Sequence, residues 1–376
     1  MRRALKSVFP GLFSTLTVPK AGELVAFAYR HGGKDKAEAF FLAGMTKALA
    51  NIVTCSDPAF PITIYYAFRQ AETDDTKGTV STGWETFLDA LLKSGLSIVG
   101  TWPVRTENQS RLRGQDANAL ASSVVLVCRP RPAQGSLATR QEYIGALRRE
   151  LPDPLRHLQH GNIAPVDLAQ ASIGPGMAVF SRFAKVLEAD GSEMTVRTAL
   201  ALINEALDEI LAEQEGEFDA DTRWAISWFE QLGTLAGEFG VAETLCKAKN
   251  CSVQGLVDSG ILEARAGKVR LLRRDELDGG WDPTTDKRLT VWEMTQHLIR
   301  RLDEGEMAAA ALARTLGSYA EIARDLAYRL YVICERKKWS QEGQAYNALV
   351  VAWPQIQGLA AAEPASAGPS QTSFEV

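Results

Sequence analysis

The 376-residue chain has only four histidines and five cysteines. So few imidazoles make histidine-driven acid–base chemistry a poor fit. The cysteines (Cys55, Cys128, Cys246, Cys251 and Cys334) are odd in number, scattered, and include no Cys-x-x-Cys pair. That excludes a disulfide scaffold and points to a reducing, cytoplasmic setting. Cys246 and Cys251 lack a matching second pair, and His157 and His160 lack an acidic or thiolate partner at ligand spacing, so no metal site is expected. No apolar run approaches the roughly 20 residues of a membrane-spanning helix. The basic start, residues 1–6, is followed by Pro10-Gly11 rather than by a signal-peptide apolar region. Phosphate-binding glycine loops are missing too. Gly32-Gly33-Lys34 has no glycine five positions before Gly33 and carries Asp35 where a Mg²⁺-binding hydroxyl belongs, while Gly174-Pro175-Gly176 follows no strand. No internal repeat is present.

The remaining composition is that of an ordinary folded protein, 46% hydrophobic and 23% charged, and the length suits two or three domains. The net charge of −5 conceals an asymmetry. Residues 1–136 carry 16 Lys+Arg against 11 Asp+Glu, whereas residues 137–376 carry 25 against 35. The first part can face a polyanion; most of the second cannot do so over a broad face.

Residues 1–136 alternate helix and strand patterns. Ala37, Phe41, Met45 and Leu49 give one apolar face to a helix over residues 34–52. Residues 61–68 are β-branched and aromatic and read as a buried strand. Trp84, Phe87, Leu88, Leu91 and Leu92 mark a second helix ended by Ser94-Gly95. Strands follow over residues 96–102 and 122–128, the latter so continuously apolar that it reads as covered on both faces. Arg129-Pro130-Arg131-Pro132 closes the unit. The three strands are expected to form a parallel edge of an α/β sheet.

Beyond residue 136 the pattern turns helical. Thr139 with Glu142 forms a capping box, and Val196, Leu200, Ile203, Leu207 and Leu211 mark a long amphipathic helix. Residues 241–280 differ: two short helices precede two short strands around Ala266-Gly267, the outline of a winged-helix unit. Residues 281–358 read as a helical bundle, and residues 359–376 as a disordered tail rich in Ala, Ser, Pro and Gly.

Three stretches invite a chemical reading. Asp57-Pro58-Ala59-Phe60 looks like the Asp-Pro-Pro-Tyr tetrapeptide of amino-directed methyltransferases, but it precedes its strand instead of following it, and Ala59 breaks the rigid Pro-Pro geometry. It is expected to be a loop. Residues 101–123 join two strands and carry Trp102, Arg105, Arg111, Arg113 and Asn118. The arginines suit phosphates, and Asn118 suits a base edge. The competing reading is a solvated loop with a structural tryptophan. In the winged-helix outline, Lys268, Arg270 and Arg273 sit on or beside the hairpin, where cations commonly meet phosphates. The competing reading there is a packing subdomain. The 11 acids between Glu188 and Asp221 would repel DNA, so any contact must be local.

Several segments together resemble one family. They include Tyr29-Arg30-His31-Gly32-Gly33-Lys34, Thr82-Gly83-Trp84-Glu85-Thr86, Gly100-Thr101-Trp102-Pro103-Val104-Arg105-Thr106-Glu107 and Asn118-Ala119-Leu120-Ala121-Ser122-Ser123. Gly161-Asn162-Ile163-Ala164-Pro165 and Cys334-Glu335-Arg336-Lys337-Lys338 extend the likeness to about Ile356. The chain is similar to the C-terminal portion of the large adenine-specific DNA methylases that carry an N-terminal domain of unknown function and a zinc ribbon. The resemblance implies S-adenosylmethionine-dependent methylation of adenine N6, in some members within anti-phage or restriction-modification settings. It also implies that the cofactor motif and the Asp-Pro-Pro-Tyr tetrapeptide lie upstream of the part matched here.

The expectation is therefore an α/β part followed by a mainly α part. Residues 1–136 would hold the closing strands of a methyltransferase-like, Rossmann-type sheet. Residues 137–240 would be a helical domain, followed by the winged-helix-like unit, the bundle and the tail. No catalytic residue is expected on this chain. S-adenosylmethionine would bind only when the N-terminal half is supplied. The expected partners are DNA and that half, or another defence-system subunit, with no membrane involved. The alternative is a non-enzymatic DNA-binding or assembly subunit that complements a separate catalytic half.

Overall fold

The computed structural model describes residues 6–11, 13, 23–66, 82–105, 122–131 and 135–362. After a helical turn at Ala28–His31 the chain forms α1 (Lys34–Cys55), β1 (Ile62–Tyr66), α2 (Thr82–Lys93), β2 (Leu96–Arg105) and β3 (Ser122–Pro130). Gly32 and Gly33, at φ 72° and 137°, make the break between the helical turn and α1, a backbone path that residues with a Cβ adopt at a cost. Asp57-Pro58-Ala59-Phe60 is an Asx turn leading into β1: the Ala59 N–H donates to Asp57 Oδ1 at 2.9 Å.

The three strands form one sheet in the order β1-β3-β2, with β3 antiparallel to both neighbours. This corrects the expected parallel edge. Only β1 and β2, joined across α2, run parallel to each other. The signal misread was burial: β3 is the central strand, and Val124, Leu126 and Cys128 are buried on its packed face, while on the other face Val125 lies between the exposed Tyr65 and Trp102, so the strand is not covered on both faces. A central strand of either direction yields the same apolar run.

One face of this sheet is packed. Tyr66 stacks on Phe87 of α2 with ring centroids 4.4 Å apart and lies 5.1 Å from Trp84. The other face carries the cross-strand row Tyr65–Val125–Trp102, whose two aromatics are 74% and 67% exposed.

Next come β4 (Leu137–Thr139), α3 (Arg140–Glu150), α4 (Pro152–His160), α5 (Pro165–Ser181), β5 (Lys185–Leu187) and α6 (Val196–Glu213). The expected capping box at Thr139 and Glu142 opens α3. Gly174-Pro175-Gly176 lies inside α5. A Cβ on Gly174 would run into Thr101 of β2, and one on Gly176 would come within 2.5 Å of Ile203 of α6. The two glycines let α5 wedge between the sheet and α6. Thr101 Oγ1 donates to Ala171 O at 2.9 Å, and Ser181 Oγ accepts from the Ile98 N–H at 3.1 Å, so α5 also satisfies the outer edge of β2.

The remaining elements are α7 (Ala220–Leu232), β6 (Gly237–Glu238), α8 (Phe239–Lys249), α9 (Val253–Asp258), β7 (Leu262–Arg265), β8 (Lys268–Leu271), α10 (Val291–Glu304), α11 (Glu306–Leu316), α12 (Tyr319–Lys337) and α13 (Ser340–Ala361). A second antiparallel sheet has the order β6-β8-β7. Its strand β6 precedes residue 241, so the unit reaches further upstream than its hairpin suggested. The last four helices pack as a bundle around Tyr328, Tyr331, Tyr346 and Trp353, all fully buried. α13 continues through Ala361, three residues into the stretch expected to be tail; residues 363–376 lie outside the described part. One set of buried apolar side chains runs from Leu49 in α1 to Ile356 in α13 without interruption.

Candidate nucleic-acid interface

Of the five residues expected to touch substrate, the structure places two. Trp102 projects from β2 on the uncovered face of the first sheet. Arg105 is the last residue of β2 and pairs in register with Ser122, the first of β3. The connection holding Arg111, Arg113 and Asn118 therefore leaves and re-enters the sheet at adjacent positions, and those three residues lie outside the described part.

Beside Trp102 a groove of about 590 Å³ runs between β2 (Val99 to Trp102), α4 and α5. Its lining is mostly apolar, with Leu158, Ile163, Ala178 and Val179. Its charged rim is an ion pair in which Arg182 grips the Glu150 carboxylate with both terminal nitrogens, at 2.7 and 2.8 Å. That guanidinium holds Glu150 below the usual carboxylate range. The groove can accept a flat or apolar group, and Thr101 and His157 add polar atoms to its lining. Among the described residues no group of three or more His, Cys, Asp or Glu is placed to hold a metal ion.

The hairpin residues divide. At its tip, Ala266 and Gly267 have φ of 52° and 74°, the two-residue turn that matches the twist of paired strands. It sets Arg265 opposite Lys268, and both are exposed. Lys268 lies 3.8 Å from Glu238, and Arg273 makes no ion pair among the described residues. Arg270 is different. Its two terminal nitrogens contact Glu276 and Glu263, each at 2.5 Å, and Arg270 holds the Glu276 carboxyl down to about 2. A guanidinium already neutralised by two carboxylates is a poor phosphate ligand, whereas Arg265, not among the residues expected to meet phosphate, is exposed and makes no ion pair among the described residues. Spacing in the sequence could not tell them apart, because the acids that capture Arg270 come from a neighbouring strand and a turn.

One titratable cluster went unseen in the sequence. Glu293, in the first turn of α10, is 3% exposed. Burial, reinforced by the facing Asp286 carboxylate, pushes its carboxyl up to about 9. One turn along, burial and then Arg300 and Arg301 hold His297 down to about 4. Trp281 lies flat on His297, ring centroids 4.2 Å apart and planes 3° off parallel, and its Nε1–H donates to Asp286 at 2.8 Å.

A family model described as a domain of unknown function, DUF8807, matches residues 219–374, less than half of the chain. The match begins at Asp219, whose carboxylate caps the N-terminus of α7, so it takes in the helix–helix–hairpin unit together with the bundle. No curated protein and no solved structure matches the chain. Among the described residues no helix is long and apolar enough to cross a membrane.

Proposed function

We propose that this chain is the C-terminal portion of an adenine-N6 DNA methyltransferase. In this reading it contributes target-DNA contacts and the closing strands of the catalytic sheet, and it is inactive without the half that binds S-adenosylmethionine. The observation that carries the reading is the incompleteness of the first sheet. Among the described residues β1 is paired only on the β3 side, and the face bearing Tyr65 and Trp102 is uncovered. Such an edge and such aromatics are normally paired or buried.

The topology also supports where further strands would go. α1 packs on α2, and α2 lies on the Tyr66 face. Crossovers between parallel strands are right-handed in nearly all proteins, and crossover helices on one face advance the sheet in one direction. The step from β1 through α2 leads toward β2. A strand entering through α1 therefore belongs on the opposite, free side of β1, parallel to it. The described residues offer no glycine turn between a strand end and a helix of the kind that cradles a dinucleotide-like cofactor, so no step is routed through S-adenosylmethionine on this chain.

The helix–strand–helix–helix–hairpin order of α7, β6, α8, α9, β7 and β8, with β6 beside β8, supports a winged-helix reading of the second sheet and a DNA contact at the Arg265–Lys268 tip. The alternative, a DNA-binding or assembly subunit that complements a separate catalytic polypeptide, draws on the unbroken core from α1 to α13, which suits a chain that folds by itself.

The test is methyl transfer to duplex DNA by the purified chain alone and after co-expression with the polypeptide encoded immediately upstream. The chain alone should transfer nothing. The mixture should transfer methyl groups and slow amide exchange in residues 62–66, and Trp102→Ala should lower that activity without lowering the melting temperature. Methyl transfer by the isolated chain would refute the proposal.

A further inference from the structure

Register places Tyr65, Val125 and Trp102 in one row across the uncovered face of the first sheet, and Val127 with Gly100 in the next. Val125 is buried between two exposed aromatics. Two strand spacings, about 10 Å, separate those aromatics, so each offers its own ring surface. Gly100 lies outside the left-handed region, and a Cβ there would meet nothing within 4 Å. Neither backbone strain nor crowding therefore calls for glycine. Its missing side chain leaves a clear floor beside Trp102, continuous with the groove between β2, α4 and α5. A glycine inside a strand often marks the close approach of a ligand. The charge on this side is of one sign. Arg129, further along β3 on the same face, is exposed. It donates only to the backbone carbonyls of Pro58 and Ala59, at 3.4 and 3.3 Å, and makes no ion pair among the described residues. β1, β2 and β3 contain no acidic residue. The one acid of the groove, Glu150, is matched by Arg182.

We propose that this face is a stacking platform for an unpaired DNA strand, on which Tyr65 and Trp102 each take a base and Arg129 takes a phosphate. A duplex cannot use such a surface, because its bases turn their ring faces only to one another. An unpaired strand presents those faces outward, and an aromatic ring accepts any base, since every base has a π-face. With no carboxylate on the three strands nothing opposes the phosphates, and residues 1–136 as a whole carry 16 Lys+Arg against 11 Asp+Glu. The platform deepens the DNA-contact part of the proposed function, on which it rests, by naming the form of DNA met at Trp102. It does not depend on whether the chain completes a catalytic sheet.

Anisotropy of a fluorescent single strand of about 12 nucleotides, mixed in sequence, tests this on the full chain. Trp102→Ala and Tyr65→Ala should each weaken binding by about tenfold and leave the melting temperature unchanged, both side chains being exposed. Trp102→Phe and Tyr65→Phe keep a ring and should keep most of the affinity. Tyr29→Ala removes an equally exposed aromatic ahead of α1 and should change nothing. Arg129→Gln should flatten the salt dependence by about 0.7 of a unit of slope, the share of one phosphate on a single strand. No single-strand binding by the parent chain, or full affinity in both alanine variants, would overturn the platform. Trp102→Leu binding as tightly as Trp102→Phe would overturn stacking as its basis. Loss of single-strand binding on adding the polypeptide encoded upstream would make the face a protein interface and overturn it too. Each of these outcomes leaves the methyltransferase reading standing; that reading fails separately if the mixture transfers no methyl groups to duplex DNA.

Discussion

Replacing Glu293 by glutamine should stabilise the protein, and by an amount that grows with pH. The carboxyl ionises at 4.5 when exposed and at about 9 in the folded protein, where burial and the facing Asp286 favour the neutral form. A raised carboxyl of this kind leaves stability intact below the unfolded value and erodes it as pH rises toward the folded value. Between the two, the unfolded chain has released a proton that the folded chain retains, at about 1.4 kcal/mol per pH unit. Three units above the unfolded value, that amounts to about 4 kcal/mol. Rearrangement around a coupled carboxyl pair reduces it to about 2 kcal/mol. Glutamine reproduces the shape of the neutral acid and cannot ionise. Thermal unfolding followed by near-ultraviolet circular dichroism at pH 5, 6.5 and 7.5 should show a melting temperature gain near zero at pH 5 and about 4 °C at pH 7.5. The acid limb should be common to both proteins. His297, held neutral down to about 4, costs stability as pH falls below its unfolded value, and the substitution does not touch it. A gain that is the same at all three pH values, or a loss at pH 7.5, would refute the assignment of Glu293 as a buried neutral acid.

Gly174→Ala should destabilise the fold by about 1–3 kcal/mol, the usual cost of overpacking, because its methyl would meet Thr101 where α5 crosses β2; urea denaturation of the two proteins measures this. Reversing Arg265, Lys268 and Arg273 together should weaken duplex binding and flatten its salt dependence by about three units of slope. Arg270→Gln should leave that slope nearly unchanged, since its charge is already matched by Glu263 and Glu276; anisotropy titrations across a salt series separate the two. An equal effect of both changes would restore Arg270 as a contact.

Much of the fold was legible because its signals are local. α1 begins at Lys34 as expected and runs three residues beyond residue 52. The capping box at Thr139 opens α3, and α6 carries the apolar period read between Val196 and Leu211. The Gly-containing turn at Ala266-Gly267 made the β7–β8 hairpin readable, because left-handed backbone is a property of the turn itself. Trp102 could be singled out as an aromatic beside a proline, but not as exposed on an uncovered sheet face.

The sequence by itself determined the element types, the charge asymmetry, and the absence of metal-ligand spacing and phosphate loops, all of which follow from neighbours within a few positions. Only the tertiary structure decided strand direction, because burial makes a central strand apolar whichever way it runs. It also decided which cations are free, because the carboxylates that neutralise Arg270 and Arg288 arrive from other elements. The same holds for Gly174 and Gly255, which look like flexible punctuation in the chain and are contact points where Thr101 and Arg288 pass. Glu293 and His297 read as ordinary polar positions of an amphipathic helix until Trp281 and Asp286 close over them, since desolvation is set by what surrounds a group and not by its place in the chain.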